Sequence, residues 1–375
     1  MDKKPVRVLQ VFNGFYQGGI ENFIMNVYRK IDRDKVQFDF AFLKADKGCF
    51  DDEAMGLGAH IYRYDSEANT LKNHYASLNR IIKEYGPYAA AHSHQYFFSA
   101  YLLRIARQCG VKIRIAHSHD TKKGKKETLS RKAYETFMRG MIRRNATHML
   151  ACSDAAGRAV FGANAGYQVL YNGIDLRRFR YSQASRDAFR KKLGVESRFV
   201  VLNVGRFADQ KNHAFIVEAF DETLKRRPDA VLMLMGTGPL KESVEEKLRE
   251  KNLLDKTIFL SNIFDTENYY NAADVFILPS KYEGMSIVSI EAQATGLPTL
   301  ISANVTREVA VTDLAEYLDI NDPAQWAEAI CRVATRERDR SSYNAQLVET
   351  PFNIKRTVSD LERIYLSSGG DIEER

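Results

Sequence analysis

The sequence holds no apolar run near the roughly 18 residues that a membrane-spanning helix needs, so no such helix is expected. The N-terminus, MDKKPVRVLQVF, is basic but enters a short strand without the apolar core of a signal peptide. There are only four cysteines, Cys49, Cys109, Cys152 and Cys331, and they are scattered. Neither metal nor disulfide spacing is present, and free thiols in a reducing cytoplasm follow. No G-x-G-x-x-G follows the first strand, which argues against a dinucleotide fingerprint. The sequence also shows no short internal repeat, no low-complexity segment and no recognised nucleic-acid module.

What is present is an ordinary globular balance, 45% hydrophobic and 27% charged, over 375 residues. That length predicts two domains, each large enough to bury its own core. The net charge of +7 conceals an asymmetry: residues 1–180 carry 30 Lys and Arg against 17 Asp and Glu, so the first half is strongly basic and the remainder acidic. A basic half points to an anionic partner. Eleven of its cations lie between Lys112 and Arg144, where KKGKK is followed by a helical pattern interleaving Arg131, Lys132, Arg139, Arg143 and Arg144 with Leu129, Tyr134, Phe137, Met138, Met141 and Ile142. A basic amphipathic helix suggests an anionic membrane surface; a solvated face is the bland alternative, and nucleic acid is disfavoured because the patch is helical.

Strand-like runs alternate with helical ones throughout. In the first half the expected strands are 6–12, 36–43, 61–64, 89–94, 113–119, 148–153 and 168–172; in the second they are 199–204, 230–235, 257–260, 275–279, 299–302 and 317–320. Near-continuous apolar strands with helices between them predict an α/β fold of parallel sheets covered on both faces. The arrangement expected is two Rossmann-like doubly wound domains facing a cleft, residues 1–176 and 177–352, with a C-terminal helix in 353–375 that crosses back to the first domain. The polar stretch 175–197 is expected to be a connector, and Asp322-Pro323 to begin a helix.

Ligands of such sheets bind at the carboxyl ends of the strands, and several motifs fall there. ADVFILPS runs into EGMSIVSIE, which places Glu283 at a strand end and Glu291 about two turns along a helix expected from Met285 to Gly296, roughly 12 Å away. That span suits a nucleotide sugar, with the helix N-terminus available to its phosphates. VLNVGRFADQKNH puts Gly205, Arg206 and Lys211 after another strand, where two cations can neutralise a departing diphosphate, although such residues are commonly solvated. Gly236 and Gly238 form a turn that could approach a nucleotide or be purely structural. Gly18 and Gly19 precede a helix, where a plain turn is the simpler account. His92, His94, His117, His119 and Asp120 end two first-domain strands. Residues i and i+2 share a face, so either histidine pair could chelate a metal, but hydrogen bonding to substrate hydroxyls is the favoured role because no closed four-ligand set follows.

Taken together, QGGIEN, RIAHSHD, ACSDAAG, YNGID, VGRFADQKNH, GTGPL and ILPSKYEGMSIVSIEAQATGLP resemble the retaining glycosyltransferase family 4, of GT-B fold, and within it the bacterial capsule and exopolysaccharide enzymes. The resemblance spans nearly the whole chain. It implies an acceptor-binding first domain and a nucleotide-sugar-binding second domain. Glu291 would hold the ribose and Glu283 would lie near the donor sugar. Gly284, Met285, Ser286 and Ile287 would line the donor, and Arg206 and Lys211 would stabilise the leaving diphosphate. Gly18 and Gly19 would close over the phosphates. His117, or His119 in its place, would contact the sugar near its reactive carbon, with His94 and Asp120 nearby. No metal and no cofactor is implied; the co-substrate would be a nucleotide sugar, by analogy a UDP-sugar.

The function expected is transfer of a sugar to a lipid-linked or polysaccharide acceptor. The expected location is cytoplasmic, peripheral at the inner face of the membrane, with the basic segment as the contact. A nucleotide-sugar epimerase of similar fold and a non-catalytic glycan-binding protein are the competing readings.

Overall fold

A computed structural model describes residues 4–16, 18–44, 46–64, 70–119, 128–333 and 339–367. The chain divides into two units, one of residues 1–173 with 354–375 and the other of residues 174–353.

In the first unit seven parallel strands form one sheet: β1 (Val6–Phe12), β2 (Val36–Phe42), β3 (Ile61–Arg63), β4 (Ala90–Ser93), β5 (Ile113–Ser118), β6 (His148–Ala151) and β7 (Gln168–Val169), in the order β3-β2-β1-β4-β5-β6-β7. β1 and β2 are buried along nearly their whole length, as continuous apolar strands covered on both faces should be. On one face Phe12, Phe15, Phe38, Phe40 and Phe42 pack with Tyr28 and with Val358, Leu361, Ile364 and Tyr365 of the C-terminal helix Ile354–Leu366. Each such side chain contributes on the order of 1.5–3 kcal/mol by leaving water, which ties that helix firmly to this sheet. The helices Leu71–Tyr85 and Leu129–Asn145 begin at threonine caps: Thr70 accepts from the Asn73 amide and Thr128 from the Arg131 amide.

The second unit holds β8 (Phe199–Val204), β9 (Ala230–Met235), β10 (Thr257–Leu260), β11 (Val275–Leu278), β12 (Thr299–Ser302) and β13 (Ala315–Leu318), all parallel, in the order β10-β9-β8-β11-β12-β13. Its core centres on Trp326, Phe207, Phe220, Leu232, Leu234 and Ile277. The helix Pro323–Val333 starts at proline, with Asp322 accepting from the Ala324 amide at 2.9 Å. Both sheets are therefore doubly wound, and each reverses its strand order at one place: between β1 and β4 in the first unit, and between β8 and β11 in the second.

Three expectations are corrected. The stretch 175–197 is not merely a polar connector: Gln183–Leu193 is a helix of the second unit, capped by Ser182. Its polar residues have a specific use, because Arg186 and Arg190 both reach the Asp274 carboxylate, which also accepts from the Val200 amide at 2.7 Å. The last strand is Ala315–Leu318, two residues earlier than its apolar pattern indicated. The helix after Glu283 runs over Ile287–Ala294, so Met285 and Ser286 precede it. No helix among the described residues is long and apolar enough to cross a membrane.

Candidate functional site

In the second unit the strand-order reversal between β8 and β11 is where residues following both strands can meet in front of the sheet. The loop after β8 closes in a turn of 3-10 helix, Asp209–Lys211, and is held to the loop after β11 by backbone and side chain. The Lys281 amide donates to the Gln210 carbonyl at 2.9 Å, and Asn212 Nδ2 donates to the Pro279 carbonyl at 3.2 Å. This brings Lys211 Nζ to 2.5 Å from Glu283 Oε1. Ser280 Oγ donates to the same oxygen at 2.8 Å, and Gln210 Nε2 to Glu283 Oε2 at 3.2 Å. Lys211 and Glu283 side chains are 16% and 9% exposed, so this ion pair is largely sheltered from water. An ammonium has three donors, and the pairing with Glu283 leaves donors for a phosphate. Arg206, beside Gly205 at the end of β8, is exposed and pairs with no carboxylate among the described residues.

Glu283 leads through Gly284 and Met285 to Ser286, the N-cap of the helix whose first residue is Ile287. Ser286 makes no side-chain cap bond, and its Oγ is buried with no hydrogen-bond partner among the described residues. An orphaned hydroxyl at an uncapped helix start is suited to an anion. Further along, Glu291 accepts from the Tyr270 hydroxyl at 2.9 Å. Burial pushes the Glu291 carboxyl up to about 7, against the lowering effect of that hydrogen bond.

Gly236 and Gly238 have the structural reason that the sequence left open. Their φ angles are +154° and +156°, and a Cβ would lie 2.1 Å from the Gly205 carbonyl and 2.4 Å from the Phe207 carbonyl. The turn is laced to the Gly205–Phe207 loop, with the Phe207 amide donating to the Thr237 carbonyl at 2.9 Å. These glycines shape the loop that carries Arg206.

In the first unit, the residue after β4 and the end of β5 lie across from one another. The register pairs His92 with Ile115, so the i and i+2 histidines of both strand ends converge on one face. The structure thus joins two histidine pairs that the sequence left separate. His92 Nε2 lies 3.1 Å from His117 Nδ1, and His94 Nδ1 lies 2.8 Å from His119 Nε2. All four are neutral at pH 7: burial, and the other imidazoles around most of them, depresses each, His119 to about 3. Nitrogens of His92, His94 and His117 lie within 4.8 Å of one another and could hold a metal ion. Gly18 caps the helix Gly19–Tyr28 through its backbone; a Cβ there would meet Glu21 at 2.6 Å, whereas one at Gly19 would meet open space.

A cavity of about 600 Å³ lies at this end of the first sheet, lined among others by Glu21, His94, His119, Tyr134 and Arg131. Burial raises the Glu21 carboxyl to about 7. Asp120 falls outside the described residues, as do Lys122, Lys123, Lys125 and Lys126.

Sequence reasoning missed Gln210 and Ser280, which fix Glu283, and Tyr270, which fixes Glu291. It also missed Glu21, Gln10 and Tyr365. Glu21, Gln210 and Ser280 stand inside quoted motifs but were given no role there, and Tyr270 and Tyr365 lie in none.

Comparison with known proteins bears on the family and the fold. Residues 185–348 match the family model for glycosyl transferases group 1, and residues 18–173 that for the glycosyl transferase 4-like domain. The putative glycosyltransferase EpsF of Bacillus subtilis is 34% identical over 97% of both chains. An Escherichia coli UDP-Gal:alpha-D-GlcNAc-diphosphoundecaprenol alpha-1,3-galactosyltransferase is 31% identical over 53% of each. The crystal structure of Anabaena HepE in complex with UDP and glucose superposes with a TM-score of 0.78, at 15% identity, covering 96% of this chain and 100% of that one, which shows a shared fold. Neither the epimerase nor the non-catalytic reading finds support among these relatives. The two parallel-sheet units, the matched segments and the full-length likeness agree: the chain is a glycosyltransferase of GT-B fold and belongs to the glycosyl transferases group 1 family.

Proposed function

We propose that this glycosyltransferase moves a sugar from a nucleotide-sugar donor, a UDP-sugar, to a lipid-linked or oligosaccharide acceptor in exopolysaccharide or capsule synthesis, with retention of configuration and without a metal. The observation that carries the reading is the meeting of Lys211 and Glu283 where β8 and β11 part, next to the orphaned Ser286 hydroxyl. The structure of HepE with UDP and glucose supports a UDP-sugar donor, and the E. coli relative's diphosphoundecaprenol substrate supports a lipid-linked acceptor.

In this reading the glycosyl C1–O bond to the diphosphate breaks as the acceptor oxygen bonds to C1 from the same face, and the acceptor proton passes to the departing phosphate. Negative charge grows on the diphosphate, where Lys211, Arg206 and the amides at the start of the helix Ile287–Ala294 would stabilise it. Glu291 accepts from the ribose hydroxyls. His117 donates to the sugar. Gly18 and Gly19 would leave their backbone open to close approach by a phosphate.

Metal independence is supported by the histidine cluster, whose facing nitrogens already serve one another as hydrogen-bond partners. The membrane contact rests on the helix Leu129–Asn145, where Leu129, Phe137 and Tyr134 are exposed while Met138 and Ile142 are buried. Part of its charge is spent internally, since Arg131 and Arg139 pair with Glu135 and Arg143 donates to the Phe161 carbonyl.

A thermal-shift screen of UDP, GDP, ADP and their sugars in EDTA tests the donor assignment, because a ligand of the native state raises Tm. A rise with UDP and UDP-sugars in chelator is expected; a rise that needs a divalent ion, or one confined to GDP or ADP, would overturn the donor or metal assignment.

A further inference from the structure

The buried His92, His94 and His117 and the half-buried His119 form two arms that start from one amide. Gln10, on β1, is 1% exposed. Its Nε2 donates to the Tyr365 hydroxyl at 3.2 Å, and its Oε1 accepts from His94 Nε2 at 2.9 Å. Along the first arm, the Tyr365 oxygen already accepts from Gln10, and among the described residues its own proton has one neighbour to serve, His92 Nδ1 at 2.7 Å. Leaving that buried hydroxyl proton unpaired would be costly, so Nδ1 of His92 is the acceptor. A neutral imidazole has one donor and one acceptor. His92 Nε2–H therefore donates to His117 Nδ1, and His117 keeps its proton on Nε2. Along the second arm, His94 carries its proton on Nε2, so its Nδ1 accepts from His119 Nε2–H. The two terminal atoms, His117 Nε2 and His119 Nδ1, are buried with no partner among the described residues.

We propose that Gln10 and Tyr365 are positioning residues that lock all four imidazoles in the Nε2–H tautomer, so that His117 presents an N–H donor and His119 a lone pair. The logic is that of outer hydrogen bonds orienting a working imidazole. A glutamine amide donates only from its nitrogen and accepts only at its oxygen, which is why a single residue can give the two ends opposite roles. The consequence for transfer rests on the reading that His117 contacts the donor sugar; the tautomer lock itself does not.

The test is nitrogen NMR of the full-length protein labelled in its histidine rings, where protonated and unprotonated ring nitrogens are distinguished directly. In the wild type, His92, His94, His117 and His119 should all be Nε2–H. Tyr365→Phe should leave His94 and His119 unchanged and turn His92 and His117 into tautomer mixtures. Gln10→Glu, which only accepts, should move His92 and His117 to Nδ1–H while His94 and His119 stay. Mixed or Nδ1–H tautomers in the wild type would overturn the proposal, as would a stoichiometric metal ion found on the protein by elemental analysis. The wild-type spectrum decides this even where a variant folds poorly. In a transfer assay Tyr365→Phe should lower kcat roughly tenfold, the effect of one misplaced hydrogen bond, with KM for the donor held. The assigned tautomers with an unchanged kcat would keep the lock and count against His117 as a sugar contact.

Discussion

Lys211 and Glu283 stand 72 residues apart in sequence and 2.5 Å apart in the fold. The pair is sheltered, and its members differ in what their loss should do. Lys211→Ala should slow transfer by about a hundred- to a thousand-fold, the usual cost of removing one charge-stabilising group. It also leaves a 9%-exposed carboxylate unpaired, which costs about 3 kcal/mol or more in stability. Adding Glu283→Gln should restore much of that stability without restoring activity. Denaturant midpoints and turnover, measured together, check both halves. Near-wild-type turnover of Lys211→Ala at saturating donor would remove it from the site.

Glu291 makes donor binding pH-dependent. Its carboxyl sits near 7 because burial disfavours the charge. Since the folded state holds this proton more tightly than the unfolded chain does, the group's contribution to stability falls as pH rises from about 4.5 through 7. Ribose hydroxyls, by contrast, are held by the carboxylate. The affinity for an intact nucleotide sugar should therefore be about tenfold weaker at pH 6 than at pH 8, following the fraction ionised. Calorimetric titration across this range should show the slope, and Glu291→Gln should flatten it at the weak end.

Gly236→Ala and Gly238→Ala should each lower Tm markedly, because the added methyl would meet a backbone carbonyl that cannot step aside. Gly19→Ala, which meets open space, should hold Tm near wild type. Melting curves of the three proteins give the comparison. Equal, small effects would mean that the loop after β8 yields.

Association with anionic vesicles should weaken with salt, since each Lys or Arg at such a surface adds about 1 kcal/mol within a Debye length of about 8 Å. Leu129→Ser with Phe137→Ser should reduce the salt-resistant part, because both side chains are exposed. Sedimentation with vesicles that shows no dependence on salt or on these substitutions would leave the helix as an ordinary solvated face.

Much of this was legible in the sequence because it follows from local pattern. Continuous apolar runs such as AVLMLM gave β9 its limits, and Glu283 and Lys211 were singled out as candidates because strand ends carry the chemistry of doubly wound sheets. Strand order was not legible, and it decides which strand ends meet. The histidine pairs at the ends of β4 and β5 looked like two separate sites until the sheet made them neighbours. Gln10 and Tyr365 lie 355 residues apart, and no spacing rule joins them. The helix Gln183–Leu193 was missed because its face toward the protein mixes Phe189 with two arginines satisfied by Asp274, rather than forming an apolar stripe. Tyr270 gave no signal because a tyrosine in a helix does not announce the carboxylate that it will meet.

The central claim is transfer from a nucleotide sugar, and acceptor-dependent nucleotide release tests it most directly. Purified protein is incubated in EDTA with a panel of UDP-sugars, with and without lipid-linked sugar acceptors, and free UDP and the elongated lipid are measured. The account predicts UDP release only when acceptor is present, matched mole for mole by a new glycosidic bond whose anomeric configuration is that of the donor. A donor sugar isomerised without acceptor, or acceptor that is bound but never elongated with any donor, would contradict it.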